Sequence, residues 1–112
     1  MHSTPPPHPS GTSLMFRLRL PKVIRELETA CDEAWESWTD VDRRRAEDIA
    51  MALADACRLE GLRDPALVAK SVGCLMQLSR EQILPIEKIL REKVRELLNS
   101  LQGTARQVLT GT

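Results

Sequence analysis

The chain has 112 residues, with 16 Lys and Arg against 16 Asp and Glu, three Cys, two Trp, one Phe and no Tyr. That length holds one domain, and so few aromatics leave a core to be built from Leu, Ile, Val, Ala, Met and Cys. No apolar run approaches the ~18–20 residues of a membrane span, and the N-terminus lacks the basic start and apolar centre of a secretory signal.

Residues 1–13 are mostly Pro, Ser, Thr, Gly and His. They offer too little apolar surface to offset the entropy of ordering, so residues 1–14 read as a disordered Pro-rich tail. Met15 offers a second translation start. From Met15 to Leu20 apolar and basic residues alternate, as in a short strand, and Pro21 favours an extended Leu20. Pro21 then suits the first turn of a helix over 21–38, with Ile24, Leu27, Cys31, Ala34, Trp35 and Trp38 on one stripe. Thr39 or Asp40 caps a second helix, and Asp42 stands where a capping box wants an acid. Its inward stripe is Ala46, Ile49, Ala50, Leu53, Ala56 and Cys57, and Gly61 supplies a left-handed stop.

Asp64-Pro65 opens a third helix over 65–78. Leu67, Val68, Val72, Cys74, Leu75, Met76 and Leu78 make it apolar nearly all round, the pattern of a helix central to its bundle. Ser79 with Gln82 reads as a further cap, and Pro85 should kink or break the chain nearby. Whether the third and fourth helices form one bent rod or two pieces stays open. The fourth carries the strongest period in the chain: Ile83, Ile86, Leu90, Val94, Leu97 and Leu101, at steps of three or four, widened by Ile89 and Leu98. Gly103 ends it and 104–112 frays. The expectation is all-α, a small antiparallel bundle of three to four helices over 15–103 with short loops.

Charge is laid out unevenly. Residues 1–25 carry four bases and no acid, residues 26–64 carry 12 acids against 5 bases, and residues 65–112 carry 7 bases against 4 acids. An acidic first half packing beside a basic second half accounts for this layout, and an acidic half docking a basic partner is the sharper alternative.

Chemistry has little to stand on. His2 and His8 both lie in the tail, and the acids fall at exposed helical spacing, so no catalytic residue is expected. Cys31, Cys57 and Cys74 sit one to a helix without the paired spacing or fourth donor of a structural metal site, so neither metal nor cofactor is expected. An odd number of thiols suits a reducing compartment, with the cytoplasm as default. Lys70, Ser71 and Gly73 loosely resemble the Lys and Gly that follow the phosphoacceptor His of four-helix phosphotransfer domains. No His precedes them, so the resemblance implies at most a His-less docking relative in signalling.

The favoured function is a non-enzymatic interaction or regulatory module that meets a protein partner, or a second copy of itself, through a helical face. Trp35 and Trp38, or the ladder of Ile86, Leu90, Val94, Leu97 and Leu101, are the candidate contacts. The alternative is a nucleic-acid-binding helix-turn-helix variant, with Arg17 and Arg19 as an arm and Arg43, Arg44 and Arg45 on phosphate. Nucleic acid is the less favoured partner, because the third helix offers few polar side chains to base edges.

Overall fold

The computed structural model describes residues 13–81 and 87–110. They form four α-helices: α1 (Leu14–Ser37), α2 (Asp40–Leu59), α3 (Arg63–Glu81) and α4 (Glu87–Thr110). Each packs on the next and α4 closes back on α1, so the order around the bundle is the chain order. Cross-links between neighbours fix antiparallel directions. Arg45 lies 3.8 Å from Glu33 across α1 and α2, Arg43 reaches Ser79 across α2 and α3, and Gln102 donates to Glu28 across α4 and α1. The third and fourth helices are thus two antiparallel rods. Ile83, Pro85 and Ile86 lie outside the described residues.

The helix ends follow from local chemistry. Ser13 caps α1 by accepting from the Phe16 amide, and its own N–H donates to Glu60 Oε1 at 3.0 Å, tying the start of α1 to the end of α2. Thr39 caps α2 by accepting from Asp42 N, while the Asp42 carboxylate accepts from Ser37 Oγ at 2.6 Å. Past Glu60, Gly61 turns at φ 80°, with Gly61 N bonded to the Arg58 carbonyl and Leu62 N to the Cys57 carbonyl. This pair of reversed bonds is a Schellman stop, and glycine takes its positive φ without strain.

Several expectations are corrected. The run from Met15 to Leu20 is not strand-like: it forms the first two turns of α1, and Pro21 sits inside that helix. Proline there removes a single donor, while the Ser13 cap and the burial of Leu20 hold the turn on either side. Gly103 does not end α4, and residues 104–110 do not fray, because Ala105 is buried against the core. Ser79 caps nothing. It is buried within α3, donating its hydroxyl back to the Met76 carbonyl. Nor is α3 central, since in a four-cornered ring no helix is, and Leu67, Cys74 and Leu78 are exposed.

The core is small-chained. Leu20, Ile24, Leu27 and Cys31 of α1 meet Ala46, Ala50, Leu53 and Cys57 of α2, Ala69, Val72 and Met76 of α3, and Leu90, Val94, Leu98, Leu101 and Ala105 of α4. Alanines on α2 let it approach α3 closely. A Cβ added at Gly73 would lie 2.8 Å from Met51 Cε and 3.1 Å from its Cγ, so that glycine is there for packing.

Candidate functional site: uncovered faces of the bundle

The ladder of α4 is spent inside the fold. Leu90, Val94 and Leu101 are buried and Leu97 is half-buried, while Ile86 falls outside the described residues. Leu90, Val94 and Leu101 are therefore core residues on this fold and present nothing to a partner. Ile89, beside the stripe, is exposed, as is Leu109 near the end of α4.

The tryptophans are also engaged. Trp35 is buried and Trp38 half-buried, their rings stacked with centroids 5.5 Å apart and planes at 24°. Trp38 ends α1 at φ 51°, ψ 31°, a left-handed conformation that costs a non-glycine residue roughly 1 kcal/mol. That twist turns its ring beneath Arg43, whose guanidinium carbon lies 4.4 Å from the ring centroid. Arg43 Nη1 then donates to the Ser79 carbonyl at 2.8 Å. Beside it, Arg80 pairs with Asp40 at 3.1 Å and with Glu47. Trp35 and Trp38 thus brace one end of the bundle.

This brace divides the arginine run. Arg43 is held in the junction, Arg45 faces Glu33, and only Arg44 is exposed with no ion pair among the described residues. Arg17 is half-buried and Arg19 exposed, both in helical turns of α1, so they form no extended arm. The five arginines do not share one face. In α3, Lys70 is exposed, Ser71 bonds back to the Leu67 carbonyl, and Gly73 is packed under Met51, so the phosphotransfer-like trio does not form a site.

What stays open is a groove along the seam of α1 and α2. Its lower part, about 490 Å³, is walled mainly by Met15, Phe16, Leu20, Val23, Ile49, Ala52 and Ala56, with Ser13, Arg19 and Glu60 at the rim. Its upper part, about 710 Å³, shares Glu26 and Ile49 and is lined by Lys22, Arg25, Thr29, Glu33 and Arg45. The short side chains of Ala30, Ala52 and Ala56 leave the seam unfilled. Met15, at the lower mouth, is 68% exposed. Of the α1 bases, Arg19, Lys22 and Arg25 make no ion pair among the described residues. The sequence hides this groove because Met15 and Phe16 alternate with basic residues ahead of a proline.

A second cleft, about 360 Å³ between α1 and α4, sets Glu28 and Asp32 against Arg91 and Arg95 beside Trp35. Glu28 there accepts from Gln102. Among the described residues no group of His, Cys, Asp and Glu could hold a metal ion, and no helix is long and apolar enough to cross a membrane.

The thiols differ sharply. Burial, helped by Asp32 and Glu28, pushes Cys31 up to about 12, and burial with Glu60 nearby pushes Cys57 up to about 11, both from an ordinary 9.0. Cys74 is exposed. A disulfide-exchange reagent in dilute solution is expected to label one thiol at once and the other two only on unfolding. Because the folded thiols hold their protons longer than the unfolded ones, this contribution to stability is complete below pH 9 and falls away as pH rises toward 11–12. Alkaline melts should show that loss, and Cys31→Ala should reduce it.

Compared with protein-family models, curated proteins and solved structures, the chain finds no match.

Proposed function

We propose that the chain is a non-enzymatic interaction module of the cytoplasm, and that it receives a helix of a partner protein in the groove between α1 and α2. The observation that supports this most is the pair of adjoining hollows along that seam, one mainly apolar and one charged, which share Glu26 and Ile49. An amphipathic helix lying in such a groove places apolar side chains against Val23, Ile49 and Ala52. Acidic residues on it would meet Arg19, Lys22 and Arg25, which have no ion pair among the described residues. Three free cysteines suit a reducing compartment.

A photo-reactive residue placed at Ala52 or Thr29, in cells of the native source, is expected to cross-link a defined protein. Ala52→Arg, which fills the lower groove, should abolish the adduct formed from Thr29 without changing the melting temperature. Adducts from positions on α4 such as Ile89, with none from Ala52 or Thr29, would sink this reading.

A further inference from the structure

Because α3 stands at a corner of the bundle, one stripe of it faces away from the core. That stripe runs Leu67, Ser71, Cys74, Leu78, at steps of four, three and four. Leu67 is 61% exposed and Leu78 37%, and Cys74 is exposed too. The stripe reads the same in both directions, in spacing and in size: large, small, small, large.

A second α3 running antiparallel, related by a two-fold axis between residues 72 and 73, sets Leu67 of each copy against Leu78 of the other. Ser71 then meets Cys74 twice at the crossing, where small side chains let the backbones approach. Val68 and Leu75, both half-buried, match across the same axis. On the opposite flank Lys70 faces Gln77, so no like charges meet in the middle. Toward each end Glu81 of one copy faces Asp64 of the other, and the Arg63 next to each Asp64 lies within reach of that pair to offset its like charge. The chain's zero net charge sets up no overall repulsion between copies.

We propose that this chain forms a two-fold symmetric dimer through the outer face of α3. The face is one helix of 19 residues, roughly 28 Å long. It covers less than the ~800 Å² per partner of a standard interface, so the association is weak, of micromolar order, and reversible on dilution. Since α3 lies diagonally across the bundle from α1, the dimer leaves the α1–α2 groove open, and the proposal does not depend on what that groove binds.

Sedimentation or light scattering of the full chain, from about 1 μM to about 1 mM, should show a reversible monomer–dimer equilibrium. Leu67→Glu, at an exposed site and with helicity checked by circular dichroism, should raise the dissociation constant about a hundredfold or more. Ser71→Phe adds apolar surface yet props the helices apart, so a dimer in this register weakens, whereas unspecific apolar association tightens. On the unmodified chain, maleimide labelling of Cys74 should slow as protein concentration rises. A single-chain mass throughout, a dimer indifferent to Leu67→Glu, or one tightened by Ser71→Phe overturns the proposal.

Discussion

Val94→Asp is expected to abolish cooperative folding, while Ile89→Asp, five residues earlier on the same helix, should leave the melt almost unmoved. Val94 is fully buried in the core, under the cleft between α1 and α4, and Ile89 is 67% exposed. An aspartate at position 94 must either carry its charge out of water, beside Glu28 and Asp32 as well as Arg91 and Arg95, or protonate, and the valine packing is lost as well. The cost, about 4–5 kcal/mol or more, is a large part of the roughly 5–14 kcal/mol that holds a domain of this size. At position 89 the carboxylate stays in water and the change should lie within about 0.5 kcal/mol. Urea unfolding followed by circular dichroism checks both. A stable, cooperative Val94→Asp variant would mean that α4 does not pack as described.

The pair also shows where periodicity speaks and where it stops. Steps of three and four identified which face of α4 is apolar, and the same logic found Ile24, Leu27 and Cys31 on α1 and Leu53 and Cys57 on α2. Periodicity could not say whether a stripe meets its own chain or another, because that depends on how many corners the bundle has. In α3 the apolar residues run nearly all round, which suggested a central helix. A four-cornered ring has no centre, so Leu67, Cys74 and Leu78 are left outside. The start of α1 departs from its local pattern for a different reason. Alternation from Met15 to Leu20 and a proline at 21 are local signals, and they were overridden by the Ser13 cap, its bond to Glu60 and the burial of Leu20. At Gly103 a residue that often stops helices lies in open space within α4, and Ala105 beyond it packs on the core.

Arg43→Ala should lower stability by about 2–3 kcal/mol, far more than an arginine in a basic run suggests. From sequence, three arginines at the start of α2 oppose the helix dipole. The structure lays the Arg43 guanidinium between two carbonyls: Nε donates to Thr39 at the cap of its own helix, and Nη1 to Ser79 near the C-terminal end of α3, where a positive charge is favoured. A hydrogen bond from a charged donor at a half-buried site contributes about 1.5–3 kcal/mol, and stacking on Trp38 adds roughly 0.5–1 kcal/mol. Arg43→Lys keeps the charge but loses the planar group that lies on the ring while reaching Ser79, so it should recover only part of the loss. Trp38→Leu keeps the left-handed backbone and removes the stack. If the two residues act together, the double variant costs less than the sum of the single ones, with a coupling of about 1 kcal/mol. Strict additivity would mean that Arg43 acts through its hydrogen bonds to Ser79 and Thr39 alone. In that case the left-handed turn at Trp38 would owe nothing to the cation above it, and the stacked Trp35 would be its main support.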